Sequence, residues 1–220
     1  MNPLVTTFAP MEAYRLLARD YDRNPNPMLA LEQRTMAQLF PPLRDIRIVD
    51  AAAGTGRWAS YCASQGAETI AVDFCEDMLA SAPRPVVAAD INRLPLPDSI
   101  ADVTICAFAM GYAPMCLPEL ARITRSGGTI LVSDVHPDAI RRGWTRTFSH
   151  PSGTIEIEHR PYDLADLIAP GLRLETLHEP RFGEPEREVF AKAGKLETFD
   201  DAARYPALFV ARWIKGSTGA

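Results

Sequence analysis

Two glycines and three aspartates in this sequence have the spacing of a site for a nucleotide-containing ligand. Residues 49–56 (VDAAAGTG) join a short apolar run to a helical pattern. A glycine turn between a strand and a helix lets a ligand approach the backbone closely and directs helix amides at it. Asp73 follows Gly54 by 19 residues, and Asp90 ends a later apolar run. Acids at these positions suit hydrogen bonds to a ribose and to an adenine amino group.

The glycine turn by itself fits two classes of cofactor. Residues 54–59 (GTGRWA) match the G-x-G-x-x-A pattern of dinucleotide sites, with Asp73 as the ribose-binding acid. Asp50, four residues before Gly54, would orient the turn and face a ligand ammonium. A pyrophosphate at the same turn would meet that carboxylate unfavourably. The acids therefore favour a cofactor with an ammonium group, and a nicotinamide-dependent oxidoreductase remains the alternative enzyme.

The elements around these residues alternate between strand and helix. Strands are predicted at residues 46–49, 69–73, 86–89, 102–108 and 129–135, and helices at 57–65, 76–81 and 117–124. Short β-branched runs separated by helices indicate a parallel sheet that is covered on both faces. Right-handed crossovers make such a sheet doubly wound. Two later strands, at 172–179 and 208–214, bring the predicted sheet to seven strands, the last of them antiparallel.

Segments outside this sheet are predicted to cover its ligand edge. Residues 11–22 and 28–40 indicate two helices, and residues 1–42 are interpreted as an N-terminal lid. Residues 145–148 and 154–158 flank the turn-forming residues 150–153, a pattern typical of a hairpin. We interpret residues 137–170 as a small substrate cap inserted after the fifth strand of a single domain, 1–220. Residues 183–206 are predicted as a helix and a loop.

Composition and charge narrow the partners. The net charge of −5 disfavours nucleic acid, and no apolar run approaches the ~20 residues that span a bilayer. The N-terminus has no basic start followed by an apolar run, so no signal peptide is predicted. Four cysteines without a C-x-x-C pair indicate reduced thiols rather than a metal site. We expect a cytoplasmic protein, monomer or homodimer, that binds no metal and acts on a small molecule.

From about Tyr14 to Asp134 the chain resembles the class I S-adenosylmethionine-dependent methyltransferases, a Rossmann-like family. The resemblance is to the small-molecule branch near the ubiquinone/menaquinone and malonyl-carrier-protein methyltransferases. The family motif acid-x-Gly-x-Gly-x-Gly appears as Asp50-x-Ala52-x-Gly54-x-Gly56, so Ala52 replaces the first glycine. Turns at residues 94–97 and 126–128 also match. The resemblance implies methyl transfer from S-adenosylmethionine to an oxygen, nitrogen or carbon atom, with S-adenosylhomocysteine as the product.

The resemblance also implies a role for each residue of the cofactor site. Asp73 would bind both ribose hydroxyls, Phe74 and Met78 would pack on the two sides of the adenine, and Asp90 would read its edge. The predicted cofactor residues are Tyr21, Asp50, Ala51, Ala52, Ala53, Gly54, Gly56, Asp73, Phe74, Met78, Asp90, Ile91, Ala107 and Phe108. Other roles remain open, since either acid can cap a turn and Tyr21, Phe74 and Met78 can be packing residues.

The acceptor side is predicted less directly. His136, just after the fifth strand, lies at the ligand edge of the sheet and is the predicted general base; capping of the next helix is its alternative role. Tyr112, His150 and His159 are predicted acceptor contacts. Arginines 141, 142, 146 and 160 make the cap cationic, which suits an anionic acceptor or a solvated face. A catalytically inactive partner subunit that binds S-adenosylmethionine is the alternative from another class.

Overall fold

The computed structural model describes residues 5–151 and 153–217, which form ten strands and eight α-helices. The strands are β1 (Val5–Phe8), β2 (Arg47–Ala51), β3 (Glu68–Asp73), β4 (Val86–Ala88), β5 (Ala101–Ala107), β6 (Thr124–Val135), β7 (Thr147–His150), β8 (Gly153–Ile157), β9 (Leu172–His178) and β10 (Leu208–Lys215). The helices are α1 (Pro10–Leu17), α2 (Pro27–Met36), α3 (Arg57–Ser64), α4 (Glu76–Leu79), α5 (Leu117–Ile123), α6 (Pro137–Arg141), α7 (Glu184–Lys192) and α8 (Phe199–Ala202).

A seven-stranded sheet with the order β4-β3-β2-β5-β6-β10-β9 forms the centre of the molecule. The first five strands of this order are parallel, and β10 runs antiparallel to both β6 and β9. The order reverses between β2 and β5, which places the β2 turn at the topological switch point where such sheets bind ligands. The predicted fold class, a mostly parallel sheet with an antiparallel last strand, is confirmed.

Helices cover both faces of this sheet, as β2 illustrates. Ile48 and Val49 are neighbours whose side chains point to opposite faces, and both are fully buried. Val49 packs in a cluster with residues of α5, such as Leu120, while Ile48 packs in a second cluster with Leu31 of α2. A strand buried on both sides reads as a continuous apolar run, which is why this one is recognisable in the sequence.

A second sheet of three strands, β1-β8-β7, packs near the ligand edge. The predicted hairpin is present as antiparallel β7 and β8, with Ser152 of its turn outside the described residues. β1 pairs with β8 in parallel and was not predicted. It has four residues and its partner lies far along the chain, so local periodicity carries no signal for it.

Four predicted boundaries are wrong. The helix expected over residues 11–22 ends at Leu17 and is followed by a 3-10 turn at Tyr21–Arg23. The helix expected over residues 28–40 ends at Met36 and is followed by a 3-10 turn at Ala37–Leu39. The helix expected over residues 76–81 has only four residues. β6 begins at Thr124, because its first residue pairs with Ala101 across an irregularity in the ladder.

Within the described part of the chain, no helix is both long and apolar enough to cross a bilayer.

Candidate functional site

A cavity lies at the carboxyl ends of β2, β3 and β5, beneath α1, the 3-10 turn and α2. The empty space between its walls is about 620 Å³ when the open region at its mouth is included. Of the residues predicted to bind the cofactor, four do not line it: Ala51, Gly56, Asp90 and Ile91. The other ten line it, and so does Tyr112 from the predicted acceptor set.

The turn between β2 and α3 has three residues in the left-handed region: Ala52 (φ 60°), Gly54 (φ 56°) and Gly56 (φ 78°). A Cβ at Gly56 would lie 2.6 Å from Cδ of Pro83, closer than packed atoms allow. One at Gly54 would lie 3.2 Å from Cε of Met78. The two glycines are therefore needed for backbone conformation and for close packing, although Gly56 itself does not reach the cavity.

Ala52 stands where the family motif has glycine, and its positive φ explains that preference. We expect Ala52→Gly to raise the free energy of unfolding by about 0.5–1 kcal/mol, because the left-handed conformation is strained for alanine and not for glycine. Urea denaturation measures this difference. Ala53→Gly is the matched control at a neighbouring position without positive φ, and it is expected to be destabilising. Equal destabilisation by both substitutions would contradict the strain assigned to Ala52.

Asp50 links the end of β2 to the start of α3. It is 2 % exposed, and its Oδ2 accepts a hydrogen bond of 2.9 Å from the Ala59 amide in the first turn of α3. Burial raises the pKa of this carboxyl from 3.8 to about 7. Asp50 therefore orients the turn, as predicted, and the residue also lines the cavity. A cation bound there would favour its ionised form.

Asp73, at the end of β3, holds the turn from the other side. Oδ2 accepts from the Gly54 amide and Oδ1 from the Cys75 amide, each at 2.8 Å. Each carboxylate oxygen has two acceptor positions, so these hydrogen bonds to the turn are compatible with a further donor such as a ribose hydroxyl. Burial raises the pKa of Asp73, an effect that its backbone hydrogen bonds oppose. Its local capping role and the predicted ligand role are thus compatible.

The predicted adenine side is more open. Phe74 is 37 % exposed and Met78 is buried, and both line the cavity. Asp90 is exposed, with Oδ1 accepting from the amide and the side chain of Asn92, whereas Ile91 is buried in the core. The bond from the Ala89 amide to the Asp73 carbonyl keeps this segment next to β3, outside the enclosed space.

The opposite end of the cavity is aromatic. Phe108, after β5, has φ of 57°, and its carbonyl accepts 2.8 Å from Nη1 of Arg146. The hydroxyl oxygens of Tyr14 and Tyr112 are 2.9 Å apart and share a hydrogen bond. Tyr21 lies beside Tyr14, with the two ring centroids 6.4 Å apart. The N-terminal segment and the segment after β5 therefore meet at this end, where Tyr21, Phe108 and Tyr112 line the cavity.

None of the three histidines predicted on the acceptor side lines the cavity. His136 is 2 % exposed, with Nε2 2.8 Å from Oε1 of Glu179 and Nδ1 accepting from the Asp138 amide. Both ring nitrogens are thus used, and the structure gives His136 the capping role at α6. Nδ1 of His159 lies 3.4 Å from the Ile157 carbonyl, and His150 ends β7. Sequence position placed His136 at the correct edge without revealing its side-chain direction.

Six further residues line the cavity and were not predicted from the sequence: Tyr14, Leu29, Thr55, Arg57, Trp58 and Ala109. Thr55, Arg57 and Trp58 directly follow or interrupt the glycine turn, a proximity that could have marked them. Thr55 donates its hydroxyl to Oδ1 of Asp22 at 2.9 Å, which ties the glycine turn to the N-terminal segment. The predicted lid is therefore in contact with the turn in this conformation.

The buried carboxylate of Glu32 on α2 makes a second link between the N-terminal segment and the residues after the glycine turn. Glu32 is 0 % exposed and accepts from Arg57 (2.6 Å), from the indole of Trp58 (2.9 Å) and from the hydroxyl of Ser133 (2.8 Å). One side chain thereby joins α2, the start of α3 and β6. A buried carboxylate is tolerated where its oxygens are hydrogen-bonded and its charge is paired, as here.

Across residues 5–151 and 153–217, no three His, Cys, Asp or Glu side chains lie in a group that could hold a metal ion. The four cysteines are buried free thiols. Burial raises the pKa of Cys62 to about 12, which keeps that thiol protonated. The burial of these thiols agrees with the sequence analysis.

Comparison with known proteins connects this geometry to a family. Residues 49–132 match the model of the methyltransferase domain. Over 146 residues the chain is 32% identical to the malonyl-[acyl-carrier protein] O-methyltransferase of Pectobacterium atrosepticum, covering 61% of this chain and 57% of that protein. Over 132 residues it is 35% identical to the demethylmenaquinone methyltransferase of Mycolicibacterium gilvum, covering 54% and 56%. The chain thus spans little more than half the length of these relatives.

The fold has solved counterparts. A crystal structure of an S-adenosylmethionine-dependent methyltransferase from Mesorhizobium loti superposes with a TM-score of 0.65 at 19% identity, covering 86% of this chain and 100% of that one. At this identity the likeness concerns the fold. Together with the domain match, it confirms the resemblance read from the motif around Asp50 and Gly54.

Proposed function

We propose that this chain, whose residues 49–132 carry the methyltransferase domain, transfers a methyl group from S-adenosylmethionine to a small-molecule acceptor. One observation carries the proposal: the Asp73 carboxylate accepts the Gly54 amide at 2.8 Å, so that a charged acceptor and the glycine turn meet in the wall of the cavity. The two oxygens of a carboxylate suit the two hydroxyls of a ribose, beside a backbone that a ligand can approach.

The residues present fit this cofactor. Asp73 would hold the ribose, Phe74 and Met78 would enclose the adenine, and Asp50 would face the ammonium group. When bound, S-adenosylmethionine supplies an electrophilic methyl group on a cationic sulfur. The chain has to hold an acceptor about 3–3.5 Å from that methyl, in line, and to exclude water. The aromatic end formed by Phe108 and Tyr112 is suited to both tasks.

The lid and the cap belong to the proposal. We assign residues 1–42 to a lid over the cofactor, supported by Tyr14, Tyr21 and Leu29 in the cavity wall. Residues 137–170 would form a cap on the acceptor side. Arg146 of this segment donates a hydrogen bond to the Phe108 carbonyl and lies over the Tyr112 ring, so the cap would position these two residues. The acceptor is proposed as a small molecule because this end of the cavity is enclosed by short segments of lid and sheet edge.

The pKa of Asp50 predicts how cofactor affinity depends on pH. Folding raises this pKa from 3.8 to about 7, so its contribution to the stability of the free protein is lost as pH rises through about 7. Binding of an ammonium group requires the ionised form. We therefore expect the affinity for S-adenosylhomocysteine to fall below pH 7, by about tenfold per pH unit at most. Calorimetric titrations between pH 5.5 and 8 measure it.

Asp50→Asn is the control for this pH dependence. The variant is expected to bind more weakly above pH 7 and to show a flat profile, because the amide does not titrate. A profile with the wild-type slope in Asp50→Asn would show that another group controls the affinity.

A thermal-shift titration distinguishes the proposal from a nicotinamide-dependent oxidoreductase. Ligands that bind only the folded protein raise its melting temperature. S-adenosylhomocysteine is expected to stabilise the chain and NADH to have no effect, because the ionised carboxylate of Asp50 repels a pyrophosphate at the glycine turn. Stabilisation by NADH alone would refute the proposal.

A further inference from the structure

The hydroxyl pair of Tyr14 and Tyr112 has one proton more than its own hydrogen bond uses. The two oxygens are 2.9 Å apart, and either of them can be the donor. In both arrangements one phenol proton serves the bond between them, and the other is free to donate to a third group. Both residues line the cavity, Tyr14 from α1 and Tyr112 from the segment after β5.

A positively charged side chain, that of Arg146, packs against this pair of tyrosines. The guanidinium of Arg146 lies 4.7 Å from the centre of the Tyr112 ring and pairs with the fully buried Asp134. Asp134 is itself held by the amides of Gly111 (2.9 Å) and Val135 (2.6 Å). Arg146 is therefore fixed in place, and its own charge is compensated within the network.

The other arginines of the cap do not reach this end of the cavity. Arg141 pairs with Asp138 and Asp163 at the surface, and Arg142 stacks over Tyr205. Arg141 and Arg146 thus have acidic partners, and Arg141, Arg142 and Arg160 do not line the cavity. Recognition of an acceptor at the aromatic end falls to phenol hydroxyls rather than to a guanidinium in direct contact.

The side chains at this end provide no base at neutral pH. Burial raises the pKa of Tyr21 to about 12 and also raises those of Tyr14 and Tyr112, so all three phenols stay protonated. The remaining residues there, Ala107, Phe108 and Ala109, do not titrate. An acceptor that must lose a proton, such as an alcohol, is poorly served by this set.

We propose, building on the proposed function, that the acceptor carries a carboxylate on an apolar, aromatic-sized body, and that the hydrogen-bonded pair of Tyr14 and Tyr112 donates its free phenol proton to that carboxylate. One donated proton leaves further lone pairs on a carboxylate, whereas it would occupy the single lone pair of an amine. One carboxylate oxygen attacks the methyl carbon. The O–C bond forms as the C–S bond breaks, the C–S electron pair stays on sulfur as a neutral thioether, and no proton moves.

Binding to the protein saturated with S-adenosylhomocysteine tests this inference without turnover. The probes are benzoate and phenylacetate, each compared at equal ionic strength with its neutral amide. Calorimetry is expected to show at least tenfold tighter binding of the carboxylates, since hydrogen bonds to a charged group are the stronger ones. The double variant Tyr14→Phe/Tyr112→Phe should lose this preference, and Tyr205→Phe, a matched change at an exposed tyrosine, should keep it.

The outcomes separate the two proposals. Equal binding of acid and amide, binding of neither, or a preference that survives in the double variant would each overturn the carboxylate assignment. The proposed function would still stand, because S-adenosylhomocysteine binding is measured first in the same instrument. Failure of the wild-type chain to bind S-adenosylhomocysteine would instead refute the proposed function. With methyl-labelled cofactor, a carboxylate acceptor should give label released as methanol by mild alkali.

Discussion

Replacing Asp73 with alanine is expected to lower the affinity for S-adenosylhomocysteine by at least a hundredfold. The ribose would lose two hydrogen bonds to a charged group, each of about 1.5–3 kcal/mol, and a hundredfold change corresponds to about 2.7 kcal/mol. The amides of Gly54 and Cys75 also lose their acceptors, so the turn itself would be held less firmly. Isothermal titration calorimetry measures the change directly.

Two further variants control for loss of structure. Asp73→Asn keeps one carbonyl acceptor in the same place and is expected to bind with intermediate affinity. Asp200→Ala removes an exposed carboxylate of α8 that does not line the cavity, and it should bind as the wild type does. Circular dichroism establishes that each variant is folded. An unchanged affinity in a folded Asp73→Ala protein would mean that the ribose lies elsewhere.

Glu32→Ala is expected to have the largest effect on stability, a loss of about 3–5 kcal/mol in the free energy of unfolding. Removing one partner of a buried ion pair leaves an uncompensated charge, here that of Arg57, which is only 23% exposed. Trp58 and Ser133 would each keep a donor without its acceptor. Urea denaturation monitored by tryptophan fluorescence gives the free energy.

Glu68→Ala is the matched control for this prediction. Glu68 pairs with Arg47 at 3.2 Å on the surface, where such pairs contribute roughly 0–1 kcal/mol. Glu32→Gln retains the shape and some of the hydrogen bonds, and it should fall between the two. If Glu32→Ala cost no more than Glu68→Ala, α2 would not be tied to α3 and β6 in the way described.

The cofactor half of the site was accessible from the sequence because its determinants are local. β2, the glycine turn and α3 follow one another along the chain, so Asp50 and Gly54 are placed by a strand–turn–helix pattern alone. Asp73 is reached through one crossover to the neighbouring strand, and register then aligns the two strand ends. Even the departure at Ala52 was visible, although its cause, a left-handed backbone, became apparent only from the structure.

The aromatic end of the cavity was only partly accessible: Tyr112 was predicted, but the contacts that join distant positions were not. Tyr14 and Tyr112 are 98 residues apart, and Glu32 and Ser133 are 101 residues apart. A glutamate on an amphipathic helix is ordinarily read as solvent-exposed, so no periodicity marks Glu32 as buried. His136 shows the complementary limit. Its position at the sheet edge was predictable, but the partners that its ring turned towards were not.

The glycine turn is proposed to bind S-adenosylmethionine with its ribose on Asp73. A crystal structure of the chain grown with S-adenosylhomocysteine shows where the ligand lies. We expect both ribose hydroxyls within hydrogen-bond distance, about 2.5–3.0 Å, of the Asp73 carboxylate, with the adenine against Phe74 and the ammonium group towards Asp50. Ligand density away from the glycine turn, or a ribose that does not contact Asp73, would contradict it.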